Sequence, residues 1–214
     1  MVAFPAIFLT FAALVLEIFS LIGNTYNKPF LRDLYFARIS TSGATYDFGL
    51  WNYCVGDGSG TITECSKPVA AFPWSQASGL NNIDGLAGHD KLFMAVFVMY
   101  FIATALTFLA LAITFLNGFS RGSDLCASFS TFLAFVVMLV TLIMSLVIDL
   151  QGIHQVSSAI SGASGHLGPA TWMTVGATAA LLLASGWWLL ACCCGSGRVN
   201  AYDKEAAGYR RRWW

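Results

Sequence analysis

The sequence predicts an α-helical membrane protein, a left-handed bundle of four transmembrane helices carrying a small extracellular antiparallel β-sheet. Three observations lead there. Hydrophobic residues make up 57% of the chain and charged residues 10%, with a mean hydropathy of +0.68, whereas an ordinary soluble domain is about 25% charged. The apolar residues gather into four runs, each close to the ~20 residues a helix needs to cross about 30 Å of hydrocarbon. Between the first two runs lies a long polar stretch in which Trp51-Asn52-Tyr53-Cys54 is followed by Cys65.

The first run covers 4–22 and is interrupted only by small polar residues and Glu17. No Lys or Arg precedes it and no small-residue cleavage site closes it, so it reads as a span and not as a cleaved leader. Residues 23–91 form the long polar loop. Within it, 30–39 and 45–55 are aromatic-rich and separated by Ser40-Thr41-Ser42-Gly43, which predicts two strands and a turn. The glycine-rich 56–60 is a second turn, 61–65 a third strand, and 67–89 mostly irregular. Residues 92–116 form the second span, long enough to tilt. A tight polar turn at 117–124 carries Arg121, and 126–148 is the third span. A Ser- and Gly-rich loop, 149–171, holds no Lys or Arg. The fourth span is 172–194. Together these make one tetraspan domain over 1–194, followed by a cytoplasmic tail at 195–214.

Cys54 and Cys65, once oxidised, would staple the small sheet and contribute about 2–3 kcal/mol. Oxidation requires an extracytoplasmic compartment, which places the long loop outside. Lys and Arg in the connections give the same orientation from different residues. The 117–124 turn and the tail carry six and the 149–171 loop none, and basic residues in short connections mark the cytoplasmic side. The five in the first loop count little, because loops beyond about 60 residues escape this rule. Both termini are therefore expected in the cytoplasm.

Gly49-Leu50-Trp51 ahead of two cysteines, in the first outer loop of a four-span chain, resembles the claudin superfamily signature. The strings FLRDLYFARIST, YDFGLWNYC and CSKPVAAFPW extend the likeness to the fungal Sur-seven/PalI family of claudin-like proteins. The resemblance covers the first loop by motif and the whole chain by topology. One departure is that claudins proper carry another Trp early in the loop, where this chain has Phe30, Tyr35 and Phe36; a tight-junction pore is not implied. What the resemblance implies is a non-enzymatic organiser of the plasma membrane. Its fields would be eisosome-type membrane domains, cell-wall integrity, ambient-pH sensing or cell fusion. Membrane lipids, like molecules or another membrane protein would be its partners. An auxiliary subunit of a larger membrane enzyme or transporter is the alternative, and a proton-linked sensor or transporter using Glu17 a further one.

Several residues outside the motif stand out. Trp51 is expected to act structurally, either as an anchor over the disulfide or at the headgroups, or as a core residue of the loop domain. Glu17 lies deep in the first span, eight or nine residues from its outer end by this reading. A charge there costs at least about 2.5 kcal/mol, so it should face the bundle, most simply as a hydrogen-bonding link between helices. Gly176, Ala180 and Ala184 form a small-residue stripe suited to close helix packing within the bundle. Trp187 and Trp188 fit an inner interfacial belt. Cys192, Cys193 and Cys194 at the cytoplasmic end of the fourth span are candidates for S-palmitoylation, with Cys126 a weaker one. The tail end Arg210, Arg211, Arg212, Trp213 and Trp214 is read as a membrane-surface contact, each basic residue adding about 1 kcal/mol at an anionic leaflet; a peptide motif for a partner is the alternative.

His89, His154 and His166 fall at the outer face without metal-ligand spacing, and the cysteine run lacks the separated pairs of a zinc site. There is no metalloprotease helix motif, nucleophile elbow, phosphate loop or dinucleotide fingerprint. Net charge is zero, and no basic patch suggests nucleic acid. The expectation is no enzyme activity, no cofactor and no metal.

Overall fold

A computed structural model of the chain describes residues 4–25, 28, 30–80, 90–117 and 124–210; at 90, 117, 124, 125 and 191–210 it describes the backbone course only. The elements run α1 (Phe4–Ile22), β1 (Ala37–Ser40), β2 (Ala44–Phe48), β3 (Tyr53–Asp57), β4 (Ile62–Cys65), α2 (Asp90–Asn117), α3 (Asp124–Ala159), β5 (Ser164–Leu167) and α4 (Pro169–Arg210). All four helices are long and apolar enough to cross a membrane.

The buried positions of the four helices follow one rule. On α1 they include Ala6, Thr10, Ala13, Glu17 and Ser20; on α2 Val96, Tyr100, Ala103, Thr107, Ala110 and Thr114. On α3 they include Ala127, Thr131, Ala134, Met138, Thr141, Ser145 and Ile148, and on α4 Ala170, Thr174, Ala177, Leu181, Ala184 and Trp188. Each series steps alternately by four and three residues, the 3.5-residue period of a left-handed supercoil. The seams are dominated by Ala, Ser and Thr, because small side chains let helix backbones approach where lipid is as apolar as leucine. Hydroxyls in the seams are satisfied locally: Thr10 donates to the Ala6 carbonyl and Thr131 to that of Ala127. Phe8, Phe11, Phe108, Phe129, Leu183 and Leu190 point outward. Large side chains outside and small ones inside invert the pattern of a soluble core.

The sheet has five antiparallel strands in the order β4-β3-β2-β1-β5. It sits at the end of the bundle where α1 ends and α4 begins. One face packs Ala37, Ile39 and Phe48 against Phe72, Trp74, Leu80 and Val156. Trp74 stacks on Phe48 at 4.2 Å between ring centroids and presses into α3 at Gly152, where any Cβ would fall 2.3 Å from the indole.

The structure revises three expectations and adds one feature. The 30–39 stretch is a strand only over β1, because residues before it fold into local turns, Arg32 N–H to the Lys28 carbonyl and Leu34 N–H to that of Leu31. The 45–55 stretch is two strands, broken by a turn in which the Gly49 N–H donates to the Asn52 carbonyl. The second polar loop is largely ordered. α3 continues to Ala159, its Gly152 and Val156 prolonging the buried seam, and β5 pairs with β1 through Ala37↔Leu167 to Ser40↔Ser164. The tail is helical to Arg210.

Candidate functional site at the junction of sheet and bundle

The signature segment does not lie in a strand. Gly49, Leu50, Trp51 and Asn52 form the tight β2–β3 turn, and the turn faces the end of α1. Trp51 donates its indole N–H to the Leu21 carbonyl at 2.7 Å, one of the last-turn carbonyls that a helix leaves without an internal partner. The same indole meets Phe97 and Phe101 of α2 edge-on at 4.8 and 6.0 Å. One side chain thus caps α1, buttresses α2 and fixes the turn. The geometry makes Trp51 a clamp between sheet and bundle.

Asn24 completes the joint. It follows α1 in the left-handed conformation, φ 58°, which Asn adopts more readily than most residues. Its backbone N–H donates to the Leu31 carbonyl and its side-chain amide to the Asp47 carbonyl at 3.0 Å. Gly49 abuts it so closely that a Cβ would fall 2.8 Å from the Asn24 Cβ.

Across the sheet the register sets one row on one face: His166, Arg38, Asp47, Cys54 and Cys65, each directly opposite the next. Cys54 and Cys65 are joined by a disulfide. Arg38 forks onto both carboxylate oxygens of Asp47, Nη2 to Oδ2 at 2.7 Å, and lies 4.3 Å above the Tyr35 ring. Burial pushes the Asp47 carboxyl above the usual carboxylate range, against the pull of the guanidinium, while the hydrogen bond to Asp47 raises Arg38. At the far end of β3, the exposed Asp57 accepts from the Ser59 hydroxyl and from the Ser59 and Thr61 amides. These donors hold its carboxyl below the ordinary 3.8.

Beneath the Gly49–Leu50 turn lies a small cavity of about 30 Å³, walled by Phe36, Phe48 and Trp74 and floored by Ser145 and Asp149 of α3. Ser145 Oγ and Asp149 Oδ2 are buried without a hydrogen-bond partner among the described residues. Asp149, placed by the sequence at the outer end of the third span, is a buried position within a helix that continues beyond it.

The sequence model of the SUR7/PalI family matches residues 2–185. The chain belongs to the SUR7/PalI family. No curated protein matches it. The family match takes in the whole clamp, the sheet, the first three helices and the first part of α4, to residue 185. It ends before the cysteine run and the tail.

In this SUR7/PalI chain, Glu17 lies five residues before the end of α1 at Ile22, as the expected 4–22 span itself requires, and not eight or nine. Glu17 is fully buried, accepts a hydrogen bond from Thr107 Oγ1 at 2.9 Å, and leaves Oε2 without a partner among the described residues. Nearby, Tyr100 and Thr174 share a hydrogen bond at 3.0 Å and Ser20 donates to the Ala170 carbonyl. Gly176 and Ala180 are half-buried and Ala184 fully buried. The stripe borders the α4 seam, with Gly176 turned toward Leu16 of α1. Trp188 is no belt residue; it packs in the seam with Ala6 and Ala127, while Trp187 is exposed.

Cys126 is free and exposed. The backbone of α4 runs through Cys192, Cys193 and Cys194 to Arg210, and their side chains lie outside the described residues, as do Arg211, Arg212, Trp213, Trp214 and His89. His154 and His166 are exposed. Among the described residues no three His, Cys, Asp or Glu side chains converge on a metal-sized site. Asn24 escaped the sequence reading; a polar residue just past a helix end was the signal for it.

Proposed function

We propose that this protein is a non-enzymatic organiser of the plasma membrane, a scaffold whose rigid sheet faces outward and whose helices gather lipids and like molecules. Both termini lie in the cytoplasm in this reading, because the disulfide calls for an oxidising compartment and the Lys and Arg outside the long first loop all fall in the 117–124 connection and the tail. The observation that carries it is the Trp51 clamp. Together with the Arg38–Asp47 pair and the Cys54–Cys65 bond it holds the sheet rigidly on the bundle, which suits a surface for assembly more than a cleft that opens and closes around a substrate.

Expression as a fluorescent fusion, with native affinity purification, tests this. Static clusters and self-assemblies support the scaffold. A single large protein recovered near one-to-one, with dispersal of the chain in its absence, contradicts it and establishes an auxiliary subunit instead. A second reading, a proton-linked sensor, draws on the unpartnered Oε2 of Glu17, since intramembrane acids mark proton pathways. It requires that Glu17→Gln abolish activity while the surface level stays intact.

A further inference from the structure

The lipid-facing surface is broken by a groove of about 600 Å³ between α1 and α4, lined by Leu16, Tyr35, Pro169, Trp172, Met173 and Gly176 among others. It is an open, shallow depression and not an enclosed cavity. It starts at the sheet, where Pro169 opens α4, and descends to Gly176, about 10 Å along the helix. It is continuous with the apolar surface that α1 and α4 turn to the hydrocarbon, so what fills it comes from the membrane.

The lining selects among lipids. No lining residue carries a charge. The Arg38 guanidinium lies 4.3 Å over the Tyr35 ring and is forked onto Asp47. None of the lining residues offers a cation to a phosphate headgroup. The groove does offer a hydroxyl: Tyr35 is 8% exposed, and its phenol has no hydrogen-bond partner among the described residues. Trp172, 65% exposed, gives a flat aromatic wall. The floor at Gly176 is bare, and a Cβ there would touch only Leu16, at 3.4 Å; helix packing therefore does not demand the glycine. A rigid plate loses less conformational freedom in such a slot than a flexible acyl chain.

We infer that the α1/α4 groove is a binding site for a membrane sterol, its apolar plate against Trp172 and Gly176 and its single hydroxyl at Tyr35. The order Leu31-x3-Tyr35-x2-Arg38 has the spacing proposed for sterol contact. The site rests on the chain spanning a membrane, and not on the scaffold reading.

The test uses the full chain in lipid nanodiscs with a photoreactive sterol, the labelled peptides being mapped by mass spectrometry. Labelling is expected at 169–176 and beside Tyr35, displaced by excess sterol and not by phosphatidylcholine. Gly176→Leu, which fills the slot, lowers it about tenfold, and Tyr35→Phe lowers it several-fold. Trp172→Ala, at an exposed position, serves if Gly176→Leu fails to form the disulfide or elutes as an aggregate. Labelling spread evenly over the helices, labelling unchanged in these variants, or equal displacement by phosphatidylcholine would each overturn the site. Because nanodiscs isolate single molecules, loss of clustering in cells leaves this result untouched.

Discussion

The indole N–H of Trp51 and the carbonyl of Leu21 lie 2.7 Å apart, thirty residues apart in sequence, and join the β2–β3 turn to the end of α1. Removing the donor leaves a half-buried carbonyl unpaired, at a cost of about 1–3 kcal/mol. The two edge-on phenylalanine contacts add about 0.5–1.5 kcal/mol each. Trp51→Phe should therefore cost about 1–2 kcal/mol and Trp51→Ala about 3–5 kcal/mol, read as thermal unfolding of the purified chain in detergent. Equal stability of both variants and the parent would remove the clamp.

Gly152 tests the α3 extension. With the Trp74 ring 2.3 Å from where a Cβ would stand, Gly152→Ala must displace either the indole or the helix. Overpacking of this kind costs about 1–3 kcal/mol, and near-ultraviolet circular dichroism should register the moved Trp74. An alanine variant with unchanged spectrum and stability would mean that α3 does not pack here.

The Arg38–Asp47 pair predicts an asymmetry between single and double replacement. Asp47→Asn leaves a partly buried guanidinium with half its fork unmet, a loss of about 2–3 kcal/mol after discounting for the exposed part of Arg38. Replacing both, Arg38→Met with Asp47→Leu, should cost less than the sum of the two single changes. Additivity in a double-mutant cycle, scored by denaturant unfolding, would show that the pair is not coupled.

Acid should loosen the β3–β4 turn only below the ordinary carboxylate range. The Asp57 carboxyl is held below 3.8 by donors that the unfolded chain lacks. Its contribution is therefore present above 3.8 and is lost as pH falls through the lower folded value. The Thr61 amide resonance should titrate with a midpoint below 3.8, and not at all in Asp57→Asn. A midpoint at or above that value contradicts the assignment.

Much of this architecture was legible in the residues. Four long apolar runs leave little choice but four spans, and Cys54 with Cys65 reads as a staple because a turn of glycines separates them. The rest depended on tertiary pairing. Ser164-Gly165-His166-Leu167 has poor strand propensity and becomes β5 only because β1 offers it an edge. The 45–55 stretch is strand-like throughout, and only the fit of Gly49 against Asn24 divides it. α3 hides its last turns because Gln151, His154, Ser157 and Ser158 face outward while Gly152 and Val156 carry the seam. Trp188 looked interfacial by position, yet the 3.5-residue period turns it inward.

The account depends above all on the sheet lying beyond the outer leaflet with its sulfurs joined. Intact cells treated with a membrane-impermeant thiol reagent measure this most directly. Cys54 and Cys65 should stay unlabelled until an impermeant reductant is added, then label without permeabilising the cell. Free thiols at both positions that label only after permeabilisation would put the sheet in the cytosol and contradict the orientation and the organiser role built on it.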